Sequence, residues 1–473
     1  MKTDANPTTE LERDYERFLA AWPLYSNSGI DAVRAAEFAR LDDQGQVYLD
    51  YTGGGLYPVS VVRGHADFLA AHVLGNPHSV NPTSVLAGER VERCRAHVLR
   101  FFNASPDEYA VVFTANASHA LKLVGEAYPF EPGDQFLLTF DNHNSVNGIR
   151  EFDRAHGAAT SYLPVVPPDL RADEAHLERA LARAGAGRNN LFAYPAQSNF
   201  SGVQHSLDWV PRAQARGWDV LLDAAAFVPT NRLDLSRVQP DYVALSFYKM
   251  FGYPTGVGVL LARYRALGKL HRPWFSGGTI TVASVQSDRH VLAEGAAAFE
   301  DGTLDYANIP AVDAGLTFLE EVGLDRVHER VGCLTGWLLG ALAGLRHANG
   351  RPLARVYGPL TTDGRGGTVA FNLHDAAGDL IPHSVVEMQA ADMGISLRTG
   401  CFCNPGAGEA ALGLSAGELD RCFAAAGDRM TREEFGQCLD GGSGPGAVRV
   451  SLGLASAFAD VHAFLAFVRQ FLQ

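Results

Sequence analysis

The sequence predicts an α/β fold: a mostly parallel sheet buried between helices, joined to a smaller α+β unit. Two observations carry this. Between about residues 60 and 290, short apolar runs alternate with helical stretches, and the runs lack strict apolar/polar alternation. A strand covered on both faces needs apolar residues at every position, whereas a half-exposed strand alternates. The runs are YAVVFTA (109–115), DQFLLTF (134–140), NLFAYP (190–195), DVLLDAA (219–225), YVALSF (242–247) and GVGVLLAR (256–263). Text of helical period lies between several of them, as in SHALKLVGEAYPF and EAHLERALARAGA, which is the order expected of a helix-covered sheet.

The flanks complete the layout. Residues 1–45 read as an N-terminal arm and the start of the small domain, with Leu11, Tyr15, Phe18 and Leu19 at helical spacing to pack on the body. The large domain spans 46–300. From 301 to 473 the helical stretches AVDAGLTFLEEVG and LTGWLLGALAGL lead to fewer strands, GTVAFNL and AVRVSLG, as a small α+β domain would require. The Gly-rich GQCLDGGSGPG (436–446) reads as a flexible loop.

Composition narrows the function. The 473 residues carry 39 Lys+Arg and 53 Asp+Glu, a formal charge of −14, with 47% hydrophobic residues. An acidic chain without a basic run repels phosphate backbones and anionic lipid, so neither nucleic acid nor membrane is an expected partner. The opening MKTDANPTTELERDYERF has no apolar core, and no stretch approaches the roughly 18 apolar residues of a membrane span. Six cysteines (94, 333, 401, 403, 422, 438) are too few and too unevenly spaced for a disulfide scaffold. A reducing, cytoplasmic setting is expected.

In open α/β sheets ligands bind beyond the carboxyl ends of the strands. Four such ends carry unusual polar groups. FTANASHALKL runs from a strand into a helix, whose N-terminal N–H groups and Ser118 hydroxyl suit an anion; Ser118 as an ordinary N-cap is the bland alternative. FDNHNSV places His143 after a strand, where a structural histidine is the alternative. LLDAAA leaves Asp223 at the end of an apolar run, where a buried carboxylate needs a cationic partner. ALSFYKMFGYPTGVG sets Lys249 in apolar surroundings that depress an amine's pKa and suit Schiff-base chemistry. Together they describe a pyridoxal phosphate site: phosphate on the helix, ring on His143, pyridinium nitrogen on Asp223, Schiff base at Lys249. No G-x-G-x-x-G follows the first strand, so a nicotinamide site is not indicated.

The ordered motifs YLDYTGGGLYP, GNPHS, VVFTANASHALKLVGEAYPF, DNHNSVNGIREF, FAYPAQSNFSG, LLDAAAFVPTNRLDLS, SFYKMFGYPTGVGVLL, FSGGTI, RTGCFCNPGA and VRVSLG run from about residue 45 to the C-terminus. They resemble the cysteine-desulfurase-like domain of the molybdenum cofactor sulfurases, within the class V aminotransferase superfamily. The resemblance implies a fold-type I architecture with a seven-stranded large-domain sheet, and pyridoxal 5'-phosphate as cofactor. It makes Lys249 the Schiff-base lysine, Asp223 the partner of the ring nitrogen and His143 the stacking residue. Asn116, Ala117 and Ser118 then hold the phosphate, with Ser246 and Tyr248 as further contacts. Thr279 would reach the phosphate of a second subunit, implying a homodimer with shared sites. Asn199 and Arg398 take the places of the substrate carboxylate contacts.

In R-T-G-C-F-C-N-P, Cys403 takes the place of the sulfur-accepting nucleophile, and Cys401 stands where related desulfurases carry histidine. A metal site using Cys401, Cys403, Cys422 and Cys438 fits poorly, because structural zinc pairs its ligands as C-x₂₋₄-C, and no metal is expected. The activity so implied is a cysteine desulfurase or sulfurtransferase that releases alanine from L-cysteine through a Cys403 persulfide. A separate acceptor protein or the molybdenum cofactor would take the sulfur, because the sequence lacks the second module that eukaryotic cofactor sulfurases carry after the pyridoxal domain. The chain also departs from the family at Tyr51, where histidine is usual, and at Gly54 and Gly55. The same scaffold serves lyases, epimerases and aminotransferases acting on unusual amino acids in specialised metabolism, which is the alternative activity. A non-catalytic sulfurase-like binding protein is a third reading, against which the intact Lys249, Asp223, His143 and Arg398 argue.

Overall fold

Seven strands join in one sheet: β1 (Tyr109–Thr114), β2 (Gln135–Thr139), β3 (Ala159–Leu163), β4 (Asn190–Pro195), β5 (Trp218–Asp223), β6 (Tyr242–Ser246) and β7 (Gly258–Arg263). Their spatial order is β1-β7-β6-β5-β4-β2-β3. All pairings are parallel except those of β7, which is antiparallel to both β1 and β6. Two antiparallel pairings restore direction, so β1 points the same way as β6 and the carboxyl ends of β1–β6 share one edge. The computed structural model describes residues 9–185, 187–426, 429–439 and 446–473.

The apolar runs have a direct cause. Val111, Phe113, Leu137, Phe192, Val220, Leu222 and Val243 enter one core, while their neighbours Val112, Phe136, Leu138, Leu191, Leu221 and Ala244 enter another on the opposite face. Each such Val, Leu or Phe contributes about 1.5–3 kcal/mol by burial. Six strands are therefore visible as runs in the sequence. The seventh, β3, lies at the sheet edge with only Leu163 fully buried, so its ATSYL text carries no run.

A second sheet is wholly antiparallel, with β8 (Ala354–Tyr357), β9 (Thr368–Leu373), β10 (Arg398–Gly400) and β11 (Ala447–Ser451) in the order β8-β9-β11-β10. GTVAFNL and AVRVSLG are its two central strands. The helices that bear on the site are α1 (Glu10–Ala21), α2 (Ala117–Ala127), α3 (Phe247–Phe251), α4 (Leu324–Gly344), α5 (Pro405–Leu412) and α6 (Phe458–Arg469). A Thr9/Glu12 capping box starts α1, and Phe18 is buried against Tyr25, Trp337 of α4 and Phe458 of α6. The arm thus packs on the body, although Leu11 stays exposed.

Two of the six cysteines pair, in a chain whose cysteine spacing and expected reducing setting point away from disulfides. Cys422 and Cys438 form a disulfide, which also removes both as thiolate ligands for a metal. Cys94 and Cys333 are buried and free. The Gly-rich 436–446 stretch begins inside a helix, Arg432–Cys438, and its residues 440–445 lie outside the described residues. Among the described residues, no helix is long and apolar enough to cross a membrane.

Candidate active site

The shared edge of β1–β6 assembles the polar groups. After β1 the chain extends through Asn116, whose side chain accepts the His119 N–H at 3.0 Å and caps α2. Asn116, not Ser118, is therefore the N-cap. Ser118 sits in the first turn with its hydroxyl exposed, 2.6 Å from Ser145 Oγ. The Ala117 N–H donates to Ser246 Oγ at 2.7 Å, which binds the start of α2 to the end of β6. This approach needs glycine at 258, where a Cβ would lie 2.6 Å from Asn116 Cα.

His143 follows β2 and accepts the Ser145 N–H at Nδ1, 3.1 Å away. With Nδ1 accepting, the proton of the neutral ring is assigned to Nε2. Burial lowers the His143 pKa, as does the nearby charge of Lys249, while Asp223 opposes the shift. Asp223 closes β5, is buried, and accepts the Ala225 N–H at 3.0 Å. Lys249 lies in α3, three residues beyond β6, and burial pushes its ammonium pKa below the usual lysine value despite the pull of Asp223.

One cavity of about 380 Å³ is lined by Asn116, Ala117, Ser118, His143, Asn199, Asp223, Ser246, Tyr248 and Lys249. Nine of the predicted residues are thus brought together. Ser145 and Gln197 also line it, two polar residues that sequence reasoning passed over although both lie in quoted motifs. Three predicted residues do not line this cavity. Thr279 is buried elsewhere in the chain, where its hydroxyl donates to the Ser276 carbonyl at 2.6 Å. Arg398 is half-exposed and donates through Nε and Nη2 to Asp50 Oδ2 at 2.9 and 2.6 Å. Cys403 is exposed on a turn.

A second guanidinium was missed. Arg449 in β11 is almost fully buried and donates to Asp50 Oδ1 at 2.8 Å and to the Asn199 carbonyl at 3.0 Å. Its Nε has no hydrogen-bond partner, and its charge acts on Lys249 and His143. A charged residue inside the apolar AVRVSLG run was the available signal. Tyr51 is buried beside Tyr48, and with Thr52 it lines a cavity of about 20 Å³ that also touches Lys249.

The Cys401–Asn404 turn is held from outside. Phe402 and Cys403 both have left-handed backbone, at φ 54° and 55°. The Phe402 carbonyl accepts Asn199 Nδ2 at 2.8 Å, and the Cys403 carbonyl accepts the Asn144 N–H at 2.7 Å. Arg449 lies over the Phe402 ring, 4.7 Å from its centroid.

With this geometry in place, comparison with known proteins is informative. The molybdenum cofactor sulfurase of Bos taurus is 36% identical, over 98% of this chain and 54% of that protein. That of Homo sapiens is 37% identical, over 94% and 51% respectively. The chain thus spans about half the length of these curated relatives. Among solved structures, a cysteine desulfurase from Thermococcus onnurineus NA1 superposes with TM-score 0.76 at 25% identity, covering 93% of this chain and 98% of that one. The cysteine desulfurase CsdA from Escherichia coli gives TM-score 0.73 at 21% identity, covering 93% and 98%, and shares the fold. Residues 47–464 match the family described as aminotransferase class-V, and the chain, with its fold-type I architecture, belongs to that family.

Proposed function

We propose that the protein is a pyridoxal phosphate-dependent cysteine desulfurase or sulfurtransferase. The observation that carries this reading is the placement of a desolvated Lys249, a buried Asp223 and the exposed Ser118 hydroxyl in the first turn of α2 around one cavity, with a solvent-accessible Cys403 on the neighbouring turn. The residues present fit the cofactor. Ser118 offers an anion its hydroxyl in the first turn of a helix, Asp223 offers a carboxylate to a cationic ring nitrogen, and Lys249 is a buried amine suited to a carbonyl. Pyridoxal phosphate, when bound, supplies an electron sink for a carbanion at the substrate Cα.

The chain's own groups do the rest. Lys249, whose pKa burial lowers, accepts the Cα proton and can return it. His143 presents Nε2–H and stays uncharged. Arg449, with its Nε free, and Arg398, when released from Asp50, offer guanidinium groups to the substrate carboxylate. Cys403 attacks the substrate sulfur: the Cβ–S bond breaks, an S–S bond forms at Cys403, and the proton balance leaves alanine and a persulfide. The persulfide then goes to an acceptor, a protein or the molybdenum cofactor. The relatives named above are sulfurases and desulfurases, which supports this substrate class.

The same reading includes a homodimer in which Thr279 of a second copy, once its hydroxyl leaves the Ser276 carbonyl, completes the phosphate site. An exposed hairpin (Ile280–Ser284 and Arg289–Leu292) directly after Thr279 carries exposed Val282, Val285 and Val291, which supports a covered surface there. The test is alanine release from a panel of amino acids in the presence of a thiol reductant. Alanine from L-cysteine is the expected result. Turnover of other amino acids with L-cysteine untouched would replace this reading with a lyase, epimerase or aminotransferase.

A further inference from the structure

Ser118, Asp223, Ser246 and Lys249 stand on strands or helices, whereas Cys403 sits on a turn. Its turn has two consecutive non-glycine residues in left-handed conformation, which costs of order 1–3 kcal/mol each and persists only where surroundings fix it. Asn404 is the residue at which those fixing contacts meet. It is fully buried, and its Nδ2 donates to the Asp141 carbonyl at 2.7 Å and to Asn199 Oδ1 at 2.9 Å. Its backbone N–H donates to the Cys401 carbonyl at 2.9 Å, closing the turn. Its Oδ1 accepts the Ala407 N–H at 3.2 Å, capping α5. Asn199 in turn spends its Nδ2 on the Phe402 carbonyl and lines the Lys249 cavity.

We propose that Asn404 is a positioning residue for the Cys403 sulfur, holding the turn against the loop after β2 and, through Asn199, against the Lys249 cavity. The proposal rests on the desulfurase reading for its kinetic consequence, but not for its structural one. A sulfur that must attack a bound thiol has to be placed to within about an ångström, and misplacement on that scale costs up to about 100-fold in rate. Asn404 touches neither substrate nor sulfur. Its two side-chain N–H groups fix where the turn sits, and its oxygen serves a separate task as a helix cap.

That division of labour supplies the test. In Asn404→Asp the cap survives, because aspartate is as good an N-cap as asparagine, but both donors are lost. A mere capping role predicts wild-type behaviour for this variant. The positioning role predicts that Asn404→Asp and Asn404→Ala lower kcat for alanine formation about 10- to 100-fold with KM for L-cysteine within about twofold. Both variants should keep the yellow colour of the holoenzyme. Hydrogen exchange on the resting holoenzyme provides a readout that needs no turnover. The Asn144 amide, bonded to the Cys403 carbonyl, should exchange at least about tenfold faster in both variants. Unchanged exchange at Asn144, or unchanged kcat in an Asn404→Asp enzyme that desulfurates cysteine, overturns the proposal. If the wild-type enzyme leaves L-cysteine intact, the desulfurase reading fails, and the exchange result alone decides whether Asn404 holds the turn.

Discussion

Around Lys249, the polar groups other than Ser145 sit within four residues of a strand end, so the hydrogen-bond ladder of the large sheet positions them. The Cys403 turn follows only β10, a three-residue strand at the edge of the second sheet. It takes its shape from bonds to residues 144, 199 and 141, more than two hundred positions away in sequence, and from an arginine stacked on Phe402. Loss of a single polar contact is expected to leave the first region in place where its backbone adjoins the buried ladder. The second depends on a handful of side-chain contacts, each of which shifts the reacting sulfur.

Substitutions sharpen this contrast. Lys249→Ala removes the amine on which the cavity's chemistry depends, and is expected to abolish the yellow absorbance and lower turnover by at least about 10³-fold, read by spectroscopy and alanine assay. Cys403→Ser should leave the colour intact while removing persulfide from the protein; colour lost along with the persulfide would erase the distinction between the two regions. Asp50→Asn attacks their junction. Asp50 is the buried carboxylate shared by Arg449 and Arg398, so its loss leaves a buried guanidinium uncompensated. A destabilisation of about 3 kcal/mol in denaturant unfolding is expected, with a raised KM for L-cysteine.

A pH effect separates the regions further. Burial holds the His143 pKa below its usual 6.5. The unfolded chain therefore binds the proton first as pH falls, and the stability contributed by neutral His143 is fully present above 6.5 and drains away as pH drops from 6.5 towards the folded pKa. Tm measured from about pH 7 to about pH 5 should fall less steeply in His143→Asn than in wild type. The smallest effect on turnover belongs to the disulfide. Cys422→Ser opens the Cys422–Cys438 bridge and should leave turnover within about twofold, since it lies outside both regions, at a stability cost of no more than about 3 kcal/mol.

The same contrast explains what the sequence made legible. Lys249, Asp223 and His143 end apolar runs, and a charged group at the end of a doubly buried strand is visible without any structure. β3 was hidden because an edge strand needs no apolar run, and the cap at Asn116 was hidden because Ser118 is an equally good capping type. Asn404 carries no signal in the sequence, and Arg449 only that of a charge inside an apolar run, for a deeper reason. Their roles come from partners at Asp50, Asn199 and Asp141, brought near only when the second sheet packs against the first. The Cys422–Cys438 bridge is of the same kind: a separation of 16 residues names no pairing until two helices meet.

The most direct test is mass analysis of the Cys403 peptide after incubation with L-cysteine in the absence of reductant, with alanine measured in the same sample. One added sulfur on Cys403 matched by an equal amount of alanine is the predicted result. Alanine formed while Cys403 stays unmodified, or cysteine left intact by a yellow holoenzyme, would contradict the account.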